Sequence, residues 1–195
     1  DDGFADLVVG AEGYSNGQAG EGAAFVYLGS PDALPSAPSW TIEMNQAGAA
    51  LGACVTSAGD VNGDGYSDVI VAAPGYDTAL ADAGRVRVYP GSASGVVNTA
   101  LWTESGDQAG AMLGTSVASA GDVNGDGYDD VVVGAEWYDS AVNVDAGRVY
   151  VYHGSSTGPT NPPALVLIGA QASMRIGASV AGAGDVNNDD YSDLV

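Results

Sequence analysis

The sequence contains no lysine and only four arginines, set against 25 acidic residues, and its formal net charge is −21. Binding to a phosphate backbone draws on cations that displace counterions, so nucleic acid is excluded as a partner; an anionic membrane surface is disfavoured on the same ground. Cys54 is the single cysteine, which excludes an intrachain disulfide framework. His153 is the single histidine, so no Ser-His-Asp, Cys-His or His-rich constellation can be assembled, and no catalysis is expected from these residues. No run of 18 apolar residues occurs, so no segment is expected to insert in a membrane. Glutamate is scarce too, 5 against 20 aspartates. Aspartate favours turns and is a poor helix former, and no window carries a 3.6-residue apolar period. Glycine, by contrast, is abundant at 30 residues, and 46% of the chain is hydrophobic, enough for a core. Together these features predict a β protein with many tight turns. The start at Asp1 without methionine and the abrupt end at Val195 lead to the expectation of a segment of something longer, with any targeting signal outside it.

An internal repeat organises the chain. Gly59-Asp-Val-Asn-Gly-Asp-Gly-Tyr66 returns at Gly121–Tyr128 and, as Gly-Asp-Val-Asn-Asn-Asp-Asp-Tyr, at Gly184–Tyr191, with spacings of 62 and 63 residues. Tyr14, Tyr76 and Tyr138 keep step, as do Trp40 and Trp102. Each period holds four strand-like runs, which in the middle copy are Gly52–Ala58, Asp68–Ala73, Arg85–Tyr89 and Ala100–Thr103. Val69-Ile70-Val71 is continuously apolar, as in a strand covered on both faces, whereas Arg85, Arg87 and Tyr89 alternate with Val86 and Val88. Four strands per repeat favour all-β architecture in tandem four-stranded antiparallel β-propeller blades, about three of them, over a β-helix or a string of small sandwiches. The chain reads as one array over residues 1–195, with landmarks at 1–10, 51–74, 113–136 and a truncated 176–195.

The Asp-rich loops carry the chemistry. In the first, Asp60, Asn62, Asp64 and Asp68 stand at loop positions one, three, five and nine, with the Tyr66 carbonyl at position seven and Gly65 at position six. Such an all-oxygen set suits Ca²⁺ better than Mg²⁺ or Zn²⁺. Confining three carboxylates to nine residues is unfavourable unless a cation sits among them. The second loop supplies Asp122, Asn124, Asp126, Tyr128 and Asp130. The third supplies Asp185, Asn187, Asp189, Tyr191 and Asp193, with Asp190 in place of the position-six glycine. Asp2, Phe4 and Asp6 are the back half of a partial site. Three full sites and one partial are therefore expected; three divalent ions, six positive charges, would bring −21 to −15. An EF-hand is excluded, because its twelfth position requires glutamate and here falls on Val71 within a strand-like run.

With its calcium hairpin set between Leu51-Gly52 and Ala72-Ala73-Pro74, the pattern resembles the FG-GAP repeat family, found in integrin α-subunit β-propellers and in many bacterial extracellular proteins. Leu113-Gly114 and Ile176-Gly177 repeat the first landmark, Gly10-Ala11-Glu12 and Gly134-Ala135-Glu136 the second, and Gly147–Tyr152 resembles the following strand. Loss of the family's phenylalanine at all three copies brings the sequence closer to the bacterial type. The resemblance implies an extracellular or cell-surface location and an adhesive or ligand-binding role with structural calcium. Its partners would be an extracellular protein or glycan, or further copies of the chain. A self-assembling fibre and a non-catalytic accessory module of a secreted enzyme are the alternatives.

Among the remaining residues, Trp40 and Trp102 repeat and are expected in packing. Cys54 is expected as a small buried residue, and Arg85 and Arg148 are expected to cover strands or pair with carboxylates. Trp137, an aromatic without a repeat equivalent, is the best single candidate for contact with a ligand or sugar.

Overall fold

The computed structural model describes residues 3–31 and 34–195. No helix occurs among them. Thirteen strands run in chain order as antiparallel meanders. The first sheet holds β1 (Leu7–Ala11), β2 (Ala23–Tyr27) and β3 (Trp40–Glu43). The second is complete, with β4 (Cys54–Gly59), β5 (Asp68–Ala73), β6 (Arg85–Tyr89) and β7 (Trp102–Ser105). The third repeats it with β8 (Ser116–Gly121), β9 (Asp130–Ala135), β10 (Arg148–Tyr152) and β11 (Leu165–Ile168). A final pair, β12 (Gly182–Gly184) and β13 (Asp193–Leu194), begins a fourth. These are the blades expected from the repeat.

The second and third strands fall where the sequence puts them. The first begins two residues later than expected, because Gly52 takes a φ of 85° and belongs to the turn that precedes it. The fourth runs Trp102–Ser105 rather than Ala100–Thr103. Its polar end continues the ladder because Thr103 and Ser105 stand opposite Arg87 and Arg85.

Alternation along β5 explains its unbroken apolar run. Val69, Val71 and Ala73 pack with Trp40, Leu51 and Tyr89 between the first and second sheets. Ile70 and Ala72 pack with Val117, Val133 and Tyr152 between the second and third. The sheets are thus stacked face to face, and every residue of β5 and of β9 is buried. Each outer-strand tryptophan meets a tyrosine of the next blade edge to face: Trp40 and Tyr89 at 5.1 Å, Trp102 and Tyr152 at 4.8 Å.

A single parallel bridge also ties each blade to the next, at Gly22 to Leu51, Gly84 to Leu113 and Gly147 to Ile176. At Gly84 a Cβ would lie 2.3 Å from the backbone N and O of Leu113, and φ is 87°, so only glycine fits. This close approach places successive blades, and therefore successive Asp-rich loops, at a fixed offset.

Candidate metal centre

Each loop joins the first two strands of a blade. The β4–β5 and β8–β9 pairings slip by one residue where the loop begins, between Ser57 and Gly59 and between Ser119 and Gly121. In the first loop Asp60 accepts the N–H of Asp64 on Oδ1 at 3.0 Å and that of Gly65 on Oδ2 at 2.9 Å. Asn62 Oδ1 accepts the Asp64 N–H, and Asn62 Nδ2 donates to Asp64 Oδ2, both at 2.9 Å. Asp64 Oδ1 accepts the Tyr66 N–H at 3.0 Å. The side chains of positions one, three and five are thereby gathered on the exposed side of the hairpin.

The second loop repeats this set with Asp122, Asn124 and Asp126, and Tyr128 donates to Asp126. In the third, Asp185 accepts the N–H groups of Asp189 and Asp190, Asn187 Nδ2 donates to Asp189, and Tyr191 donates to Asp189. Asp190 adopts the left-handed backbone of the glycine it replaces, with φ 71° against 89° at Gly65 and 88° at Gly127. The loop survives the substitution because aspartate tolerates that region better than most residues.

Position nine behaves differently from the others. Asp68 is fully buried, and its two oxygens accept the N–H groups of Val61 at 3.1 Å and Gly91 at 2.9 Å. Asp130 does the same for Val123 and Gly154. Asp193 accepts from Val186, and Asp6 accepts from Gly29. Through Gly91, Gly154 and Gly29, the carboxylates of Asp68, Asp130 and Asp6 lock their hairpins to their own blades. Among the described residues no three His, Cys, Asp or Glu side chains are clustered closely enough to hold a metal. The structure brings together two carboxylates and one amide oxygen per loop and holds the third carboxylate on backbone donors. Phe4 lies exposed, and Asp2 lies outside the described residues.

Electrostatics separate the two kinds of aspartate. Burial pushes Asp68 up to about 6, against the lowering effect of the Gly91 and Val61 N–H bonds, with Asp64 and Asp60 adding repulsion. Burial also raises Asp130, offset in part by its N–H donors and by His153. At Asp122 and Asp185 desolvation acts upward, but the N–H bonds of the loop together outweigh it and hold both below the usual carboxylate range. Position one of the second and third loops is therefore prepared as an anion. The donors fit a hard cation in their chemistry, since all are oxygens and neither imidazole nor thiolate stands in the loop.

A family model described as the FG-GAP repeat matches residues 55–89 and 113–152, each spanning an Asp-rich loop and its flanking strands. The chain carries FG-GAP repeats. Integrin alpha-6 of Gallus gallus is 36% identical over 140 residues, 69% of this chain and 12% of that protein. Integrin alpha pat-2 of Caenorhabditis briggsae is 36% identical over 152 residues, again 69% and 12%. Integrin alpha-V of Gallus gallus is 33% identical over 145 residues, 70% and 14%. The chain thus spans about one-eighth of the length of these curated relatives. A solved rhamnogalacturonan lyase shares the fold over the whole chain and 37% of its own, with a TM-score of 0.60 and 14% identity.

Other residues of the FG-GAP array fall as follows. Arg148 pairs with Asp107 at 2.9 Å and lies over the Tyr138 ring; Arg85 lies over Tyr76 and donates to Ser105. Cys54 is half-buried rather than enclosed, with its Sγ 3.8 Å from the Val117 carbonyl. Trp137 already has one ring face covered by the Arg175 guanidinium at 3.7 Å, which reduces the surface it offers a ligand. Sequence reasoning missed Glu21, which is wholly buried and accepts the Asn16 N–H. The only signal was its position, where the other repeats carry Ala83 and Ala146.

Proposed function

We propose that this chain is a calcium-stabilised, extracellular FG-GAP β-propeller segment that works in adhesion or ligand binding and has no catalytic role. The observation that carries the reading is the threefold recurrence of one loop geometry: Asp60, Asn62 and Asp64 are gathered by the same bonds as their counterparts one and two repeats on. A bound Ca²⁺ would supply charge neutralisation and a rigid cross-link within each hairpin. Positions one, three and five, with the carbonyl of position seven, would hold it, and the carboxylate of position nine would face it from the blade side. The integrin alpha relatives support a cell-surface setting, and extracellular modules bind calcium at about 0.1–1 mM, which suits a calcium-rich exterior. The ligand would be an extracellular protein or glycan.

Native mass spectrometry of the full chain in calcium-containing buffer tests the site assignment. Binding of at least three Ca²⁺, reduced by one in Asp64→Ala and by one in Asp126→Ala, is expected. Retention of none, or an unchanged number in both variants, would remove the assignment.

A further inference from the structure

The first two loops touch, and the touching residue is not one of the proposed ligands. Asp129, at position eight of the second loop, accepts the Asp60 N–H on its Oδ2 at 2.8 Å, and its own N–H donates to the Asp60 carbonyl at 3.1 Å. This two-way clasp seizes position one of the first loop from the second. Beside it the Tyr128 ring covers Gly63, where a Cβ would lie 2.7 Å from Tyr128 Cε1. A second strap runs through the third blade. Ser155 donates its N–H to the Val61 carbonyl at 3.1 Å, and the adjoining Gly154 donates its N–H to Asp130, position nine of the second loop. Val61 in turn donates to Asp68, position nine of the first. The ends of both loops therefore belong to one hydrogen-bonded network.

The next junction keeps the backbone clasp without its carboxylate, and among the described residues no bond to the Val123 carbonyl repeats the Ser155 strap. Ser192 stands where Asp129 stands, and its N–H still donates to the Asp122 carbonyl at 3.0 Å. Tyr191 still covers Gly125. The second junction lacks the Asp129 carboxylate, since a serine hydroxyl brings no charge to the neighbouring loop. The chain thus contains its own internal comparison, a charged clasp between loops one and two and an uncharged one between loops two and three.

From this we infer that the first and second loops bind cations as a coupled pair, with Asp129 as the coupling residue, whereas the third loop is only weakly linked to them. The inference rests on the calcium reading of the loops. A cation in loop two fixes the backbone around Tyr128 and so holds Asp129 in place. Asp129 then orders Asp60 and adds negative charge beside the first site. Loop one consequently begins its own binding partly ordered, and the free energy of coupling is reciprocal. Asp129 is a positioning residue and touches no ion.

Calcium titration of the full chain, followed by NMR on the amides of Gly65, Gly127 and Asp190, resolves the three loops separately. Disabling loop two with Asp126→Ala is expected to weaken loop one by about five-fold or more, within the usual range for coupled sites. Disabling loop three with Asp189→Ala should leave loop one within about two-fold, below that range. Asp129→Ser, which installs the residue of the neighbouring junction, should remove most of the coupling while loop two keeps its own affinity. Loop one binding with the same affinity in wild type, Asp126→Ala and Asp129→Ser would overturn the inference and leave the calcium reading intact. Absence of calcium-dependent shifts at all three amides would overturn both.

Discussion

At Asp68 one buried carboxylate receives two backbone N–H groups, from Val61 and Gly91, and so closes the loop onto its blade. An asparagine has one acceptor oxygen and would turn its amide donors toward the other N–H. Asp68→Asn should therefore destabilise the protein by about 1–3 kcal/mol, the cost of one buried unsatisfied donor, measurable by denaturant unfolding. The acidity of the same group has a sign that can be checked. Its pKa is raised from 3.8 to about 6 in the folded chain, so the folded state holds the proton more tightly than the unfolded state. The resulting stabilisation is complete below about pH 4 and is lost as pH rises through 6. Asp130 is raised too and acts in the same direction. Asp122 and Asp185, held low, contribute stability that is lost only below the ordinary carboxylate range. In chelator, the melting temperature should accordingly be higher at pH 5 than at pH 7; an unchanged or lower value at pH 5 would contradict this account of Asp68. The sequence shows that position nine is acidic, and the spacing alone makes it a ligand. It does not show the burial, because Gly91 reaches Asp68 from 23 residues away.

At the scale of the elements, the blades were legible because their signals are local and repeated. The apolar run Val69-Ile70-Val71 and the alternation from Arg85 to Tyr89 fix two strands directly. The outer strand was less legible, since Trp102 is its one apolar anchor and the remainder is held by partners across the sheet at Arg85 and Arg87. Blade contacts were partly readable. Paired tryptophans implied packing, but their tyrosine partners, Tyr89 and Tyr152, became apparent only in three dimensions. So did the repeated clasps in which Gln46 exchanges two hydrogen bonds with the backbone of Asp77, and Gln108 with that of Asp139. Trp102 lies in the core between the second and third sheets. Trp102→Ala should cost about 3–5 kcal/mol, as expected for removing a buried indole. A loss below about 1 kcal/mol, in the range of a tolerated surface change, would mean that the interface does not depend on this side chain.

Across the whole molecule, an excess of acid is spread over a stack of blades with few cations to offset it. The formal charge is −21, and one ion pair, Arg148 with Asp107, joins described residues. Eleven of the 20 aspartates stand at loop ligand positions, so much of the self-repulsion is concentrated where cations would enter. Stability is therefore expected to depend on divalent ions more steeply than on monovalent screening. At calcium a hundredfold above the dissociation constant, each site adds about 2.7 kcal/mol, and a chain of this size gains about 2–4 °C per kcal/mol. The most direct measurement is the melting temperature of the full chain in saturating calcium against chelator, at constant ionic strength. A rise of at least about 10 °C is predicted from three such sites, with a smaller one for magnesium. Equal melting temperatures in calcium and in chelator would contradict the account.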